Sequence, residues 1–456
     1  MSPDSADTRE RSLCFDKIER EISQFRSDPY ARIAQNAVTM TTADNVALNR
    51  EIVTGMDFSF STHLDSWTAT NQKRSGRCWM FAALNLLRVG AMEKMNLKNF
   101  EFSQNYTLFW DKFERSNYFL EAIIDTADRN VDDRLVAFLL GQPLSDGGQW
   151  NMAVNVIKKH GLVPKSAMPE TESSSNTRRM NSILICRLRQ GARDIRELLK
   201  KGGSILELGS LKDHILSEIW RVLCIHLGTP PREFMWQWQD KQNVFHRDGM
   251  MTPQSFAKKY ITIPIEDYIC LVNDPRPENP YGKTYTVECL GNVIGGQRVV
   301  YLNIEIDEMK RISRQLIEGG TPVWFGCDVG KQMRRDMGLW DAQLFDYKAL
   351  YRIEFELSKA ERLTFHQTSM THAMLFTGVD VVDDTTRRWR VENSWGTEKS
   401  GQKGFYTMND SWFDAYMFEI AAPKSLLSES LLSAFDEEPR VLPAWDPMGA
   451  LARNSI

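Results

Sequence analysis

A cysteine acts as a nucleophile only as its thiolate, and the start of a helix favours that form because its unpaired N–H groups carry partial positive charge. In "NQKRSGRCWMFAALNLLR", residues 71–88, Cys78 opens a run of helix formers, and Gly76 permits a tight turn into it. An imidazole is the second requirement. Of seven histidines, His372 opens the apolar segment "HAMLFTGV", which places it at the end of a strand where a rigid scaffold can aim it. His160 reads as a helix C-terminal residue, His214 and His226 as packing or surface residues, and His63 and His246 sit in polar surroundings; His366 is a weaker rival. Downstream, "VENSWG" puts Asn393 at the end of another strand. A neutral amide can accept a hydrogen bond from an imidazole without taking its proton, and the indole of Trp395 would shield that bond from water. The side-chain amide of Gln72, with the backbone N–H of Cys78, completes an oxyanion hole for a tetrahedral intermediate. Each residue alone is a weak signal. The ordered set Gln-x5-Cys-Trp, His-Ala and Asn-Ser-Trp-Gly is specific, and it predicts acyl transfer through a thioester.

The elements that must position these groups follow from composition and periodicity. At 456 residues the chain is too long for one ordinary core, so two or three domains are expected. A net charge of −4 gives no reason to expect a nucleic-acid partner. The N-terminus lacks the apolar stretch of a signal peptide, and no run is long and apolar enough to span a membrane, so a cytoplasmic location is expected. Seven widely spaced cysteines with no C-x-x-C pair argue against a disulfide framework and a structural zinc site, and no metal or cofactor is expected. "GCDVGK" (326–331) is one residue short of a phosphate loop.

Cys78 opens a segment apolar on every side, the mark of a central helix. "NMAVNVIKKHGLVP" ends as a helix does, with basic residues, Gly161 and then Pro164. Residues 180–275 have helical periodicity, and short extended segments rich in β-branched and aromatic residues follow. Helices first and strands later predict an α+β fold.

The stretch Ser75-Gly76-Arg77-Cys78-Trp79 resembles the signature C-G-[SA]-C-[WY] of papain-like cysteine peptidases. Ser75 replaces the cysteine that forms a disulfide in secreted relatives, which fits a reducing compartment. His372 and Asn393 lie about 300 residues past Cys78, against roughly 130–150 in papain. The difference calls for an insertion, and the helical middle third supplies one. With "FEFSQNY" (100–106), "DGGQWNM" (146–152), "CLVNDPRP" (270–277), "SKAERLTF" (358–365) and "LPAWDPMGALA" (442–452), the chain resembles the bleomycin hydrolases over nearly its whole length.

That resemblance implies a papain-like two-lobe fold. Its parts would be an N-terminal extension or hook (1–70), a helical lobe with Cys78 (71–165), a mainly helical insertion (166–290), a β-rich lobe with His372 and Asn393 (291–435), and a tail lying in the cleft (436–456). It implies Cys78 as nucleophile, His372 as general base and acid, Asn393 as orienter and Gln72 as oxyanion donor, supported by Trp79 and Trp395. Gly147 and Gly148 would offer bare backbone to an extended peptide, although a simple turn before a helix explains them nearly as well. The family implies a cytosolic aminopeptidase acting on peptides and on the β-aminoalanine amide of bleomycin, in some members on homocysteine thiolactone, and assembled as a homohexamer. Its tail lies along the cleft, which places Ala452 beside the substrate. Family tails commonly stop at or just past the "ALA" matched by Ala450–Ala452; this chain continues through Arg453–Ile456, and the expectation is that it trims itself. Two other outcomes stay open: a non-catalytic ring-forming or nucleic-acid-binding protein that keeps the fold, and an acyltransferase using the same thioester.

Overall fold

The computed structural model describes residues 12–64, 67–398 and 400–452. They form two compact units, one reaching Met56 and including Gln343–Glu356, the other comprising Asp57–Ala342 and Leu357 onward. The first unit holds helices α1 (Phe15–Ser27) and α2 (Pro29–Met40), with Asp28 capping α2 through Tyr30 N. Ala47 O accepts from Asp346 N at 2.7 Å and Leu344 O from Asn49 N at 2.8 Å, which fastens the later segment to the earlier one. One face of α1 leaves Phe15, Ile18, Ile22 and Phe25 exposed. The extension read as 1–70 thus gives way at Met56, because Trp67 to Gln72 pack into the second unit.

In the second unit, helix α3 (Cys78–Met95) is buried along most of its length, as its all-round apolar sequence requires, and Asn96 closes it in the left-handed region at φ 53°. Around it lie α4 (Gln104–Asp125), α5 (Trp150–His160), α6 (Arg178–Lys200) and α7 (Ile205–Leu227). Gly161 ends α5 at φ 74°, and a Cβ there would sit 2.3 Å from the Pro253 backbone, so only glycine fits. A capping box between Ser204 and Glu207 starts α7.

The sheet runs through β1 (Tyr268–Val272), β2 (Val323–Cys327), β3 (His372–Val382), β4 (Thr385–Glu392), β5 (Phe405–Asn409) and β6 (Met417–Pro423), in the spatial order β1-β6-β2-β3-β4-β5. Two of its strands, β1 and Thr284–Val287, fall inside the range read as helical insertion. Successive residues of a strand face opposite sides. Cys270, Val272 and Trp324 accordingly pack with the helices, while Ile269, Leu271, Val323 and Phe325 pack into a second core under the sheet. Every residue from His372 to Asp380 is buried, the pattern of a central strand covered on both faces. The result is the expected α+β fold in two lobes, with Cys78 carried by the helical lobe and His372 and Asn393 by the β-rich one.

Candidate active site

Cys78 is the first residue of α3, fully buried, with Arg77 preceding it as an N-cap whose side chain makes no capping bond. Its backbone N–H is among the first four of the helix, at the end where the helix carries partial positive charge. The turn into α3 is held by side chains. Ser75 Oγ donates to Gln72 O at 2.6 Å, Arg77 Nε donates to Ser75 Oγ at 2.9 Å, and Arg77 clasps Glu170 at 2.7 and 3.0 Å. Ser75 is thus a hydrogen-bonding hinge of this turn. Trp324 of β2 donates to Trp79 O at 3.0 Å, which docks the first turn of α3 onto the sheet. Burial, and after it the neighbouring Asp328 and Cys78, push the pKa of the Cys327 thiol well up, and Cys327 is the register partner of His372 across β2 and β3. The helix that carries the cysteine packs against the strand that carries the histidine.

Asn393 Oδ1 is 2.9 Å from His372 Nε2. A carbonyl oxygen can only accept, so Nε2 carries the proton and Nδ1 keeps its lone pair. Nδ1 has no hydrogen-bond partner among the described residues. Burial pushes the His372 pKa down to about 4, the Asn393 bond offsetting only part of that cost. The imidazole is therefore neutral at pH 7, in tautomeric form to receive a proton at Nδ1. The Trp395 ring lies 5.0 Å from the His372 ring, and Arg335 sits 4.8 Å over Trp395 on its other contact.

Gln72 is tied to the residue after Asn393. Its main-chain N–H donates to Ser394 O at 2.8 Å, its Oε1 accepts from Ser394 Oγ at 2.6 Å, and its Nε2 donates to Ser75 O at 2.6 Å. An amide nitrogen has a second N–H, directed away from the first by the planarity of the group.

On the helical side, Trp79 Nε1 donates to Asp146 O at 2.7 Å, and a Cβ on Gly148 would fall 2.5 Å from the Trp79 ring. The glycine is therefore required for close approach, since its backbone is not in the left-handed region. Arg115 Nη2 holds Gly147 O at 2.7 Å. Gly148 N donates to Ala452 O at 3.3 Å, forming an antiparallel bridge, and Gln149 Nε2 donates to Ala450 O at 2.7 Å. The strip of backbone beside Cys78 is thus occupied by the chain's own tail, which Arg276 anchors upstream through Asp446 at 2.8 and 3.1 Å. Arg453–Ile456, on which the trimming expectation falls, lie outside the described residues.

The structure brings Cys78, Trp79, Gly147, Gly148 and Ala452 together around one end of α3, and His372, Asn393, Trp395 and Gln72 around the adjoining strand ends. Sequence reasoning missed the carboxylates beneath them. Asp146 receives Gly76 N at 3.1 Å, Lys112 Nζ at 2.6 Å and Asn181 Nδ2 at 2.7 Å; Glu392 receives Trp67, Asn85 and Arg88. Both stood in quoted motifs, "DGGQW" and "VENSWG", but their partners are distant in sequence. His366 is exposed, and "GCDVGK" contributes β2 and the turn after it. Among the described residues there is no grouping of side chains able to hold a metal ion, no helix long and apolar enough to cross a membrane, and no disulfide.

Residues 12–449 match the Peptidase C1-like family. The chain is 43% identical over 447 residues to the bleomycin hydrolase of Mus musculus, covering 96% of this chain and 98% of that one. It is 42% identical over 445 residues to aminopeptidase C of Lactobacillus delbrueckii subsp. lactis, covering 97% and 99%. The crystal structure of PepW from Lactobacillus rhamnosis HN001 superposes with a TM-score of 0.95 at 42% identity, over 97% of this chain and all of that one.

Proposed function

The chain belongs to the Peptidase C1-like family, and from that premise we propose that it is a cysteine aminopeptidase of the bleomycin hydrolase type, working through an acyl-enzyme on Cys78. The observation that carries the proposal is the His372–Asn393 pair, which fixes Nε2–H and leaves Nδ1 its lone pair, on a strand that packs against α3. In the proposed cycle His372 Nδ1 takes the Cys78 proton as sulfur attacks the substrate carbonyl. Asn393 keeps Nε2–H oriented and stabilises the imidazolium that forms. The Cys78 backbone N–H and the second N–H of Gln72 receive the oxyanion, and His372 then protonates the leaving amine. A water deprotonated by the same imidazole releases the acyl group.

Trp79 and Trp395 keep water from the pair. Gly147 and Gly148 carry the peptide-binding backbone, and the tail at Ala452 fills the cleft so that only a short N-terminal portion of a peptide fits. This arrangement supports aminopeptidase action on peptides and hydrolysis of the β-aminoalanine amide of bleomycin, with homocysteine thiolactone as a further acyl donor. A tail passing Cys78 is a ready substrate, so the enzyme is proposed to trim Arg453–Ile456. Thiols exposed at Cys14 and Cys186 suit a reducing cytoplasm, and the apolar face of α1 suits assembly with further copies, as in a homohexamer.

The test is Cys78→Ala measured on aminoacyl amides and by intact mass. Loss of turnover together with an untrimmed tail is expected; full activity in the variant would overturn the proposal. Labelling of Cys78 by a thiol-directed epoxide, abolished in His372→Ala, would exclude a non-catalytic ring.

A further inference from the structure

We infer that Glu392 is a positioning residue that sets the reach between Cys78 and the His372–Asn393 pair, an inference that rests on Cys78 being the nucleophile. Glu392 is the last residue of β4, adjacent in the chain to Asn393, and its carboxylate crosses to the helical lobe. Oε1 accepts from Arg88 Nη2 at 2.7 Å and from Asn85 Nδ2 at 3.0 Å, and Oε2 accepts from Trp67 Nε1 at 2.6 Å. Arg88 and Glu392 are each about 99% buried as side chains, at 1% exposure apiece.

Asn85 follows Cys78 by seven residues on α3. At about 100° per residue the two side chains are only about 20° apart around the helix, separated by about 10 Å along its axis. The face of α3 that presents the thiol at its first turn is thus the face gripped by Glu392 two turns on. Rotation or sliding of α3 would break the Asn85 and Arg88 contacts in the same movement that carries Cys78 away from His372. The grip is held by more than one contact: Asn85 Nδ2 also reaches Thr70 Oγ1 at 2.8 Å, and Thr70 O accepts from Gly396 N at 2.9 Å on the strand side. Arg88 has few other anchors. Its Nη2 shares Thr68 O at 3.1 Å, its guanidinium lies 5.7 Å over Trp67, and Nε and Nη1 have no partner among the described residues. The second cation acting on Glu392 is Arg390 of the same strand.

The experiment compares the full-length parent with Asn85→Leu, which leaves the ion pair, and with Arg88→Met/Glu392→Leu, which replaces the pair by apolar side chains of similar size. Three quantities are read: kcat and KM on an aminoacyl amide, the alkylation rate of the Cys78 peptide by iodoacetamide from pH 4 to 9 followed by mass spectrometry, and the thermal midpoint. In the double variant we expect a folded protein whose midpoint stays near the parent's, the removal of a buried ion pair offsetting the acceptor lost to Trp67 and Asn85, while kcat falls at least tenfold, KM moves less than twofold, and the alkylation profile shifts toward that of an isolated thiol. A stable double variant with parental kcat and alkylation profile overturns the inference. If the double variant does not fold, Asn85→Leu decides: a several-fold slower alkylation at pH 7 supports the positioning role, and an unchanged rate overturns it. A parent whose Cys78 is alkylated no faster than exposed Cys14 and Cys186 would instead overturn the nucleophile assignment on which the inference rests.

Discussion

Two buried carboxylates stand one residue from the groups that matter, and they behave in opposite ways. Asp146 precedes Gly147 on the helical side; Glu392 precedes Asn393 on the strand side. Burial alone would raise the pKa of both. At Asp146 that cost is outweighed by Lys112 at 2.6 Å and by bonds from Thr177 and Asn181, and the carboxyl is held well below the usual range. At Glu392 burial prevails over Arg88, Trp67 and Arg390, and the carboxyl is pushed up. One lobe thus fixes the loop that carries Gly147 and Gly148 with a satisfied charge. The seam between the lobes is fixed by a charge that its environment resists, which indicates that its place, rather than its stability, is what the pair supplies.

The sharpest break of this contrast is Asp146→Ala, which leaves the Lys112 ammonium buried and unpaired. A loss of about 3–5 kcal/mol is expected in denaturant titrations. Next in size is the acid limb of His372. With a folded pKa of about 4 against 6.5 unfolded, the unfolded chain binds the extra proton between those values. Stability therefore drops as pH falls through that window, by about 3 kcal/mol, and His372→Gln should remove this drop from the pH dependence of melting. Gly148→Ala drives a methyl into the Trp79 ring and should cost about 1–3 kcal/mol with a loss of activity well beyond that of the parent's neighbours in the loop. Glu392 should show the opposite pH sign to Asp146. Its native carboxyl keeps a proton that the unfolded chain has lost, so stability falls as pH rises from about 4.3 to the raised folded value, by about 1.4 kcal/mol for each pKa unit, and Glu392→Gln flattens that fall. Asp146, lowered instead, contributes stability that is fully present above about pH 4 and is lost below it. At the bottom of the scale, Arg298→Ala breaks an ion pair to Glu438 between side chains 53% and 78% exposed and should change stability by less than about 0.5 kcal/mol.

The order of elements and the α+β class were legible because they depend on local periodicity: the all-round apolar run from Cys78, the helix end at His160-Gly161, the short β-branched segments after residue 290. Cys78, His372 and Asn393 could be named because their types and order are specific to one chemistry. The pairings beneath them were not legible. Arg88 meets Glu392 across 304 residues, and Lys112 meets Asp146 across a helix and a turn; nothing in local composition distinguishes these from solvated charges. The unit boundary at Met56 was hidden for the same reason. "SWTATNQ" is polar in sequence, yet Trp67 and Gln72 are buried by partners near Glu392 and Ser394. Gly148 was ambiguous in sequence and became interpretable only when the Trp79 ring was found beneath it.

The bridge between Gly148 and Ala452, with Arg276 fastening Asp446 upstream, makes the cleft's first competitor a part of the same molecule. A tethered strand of this length presents itself at an effective concentration in the millimolar range, independent of how much enzyme is in solution. On the proposed reading of this strip as a peptide site, a free peptide would have to displace a ligand that dilution cannot remove.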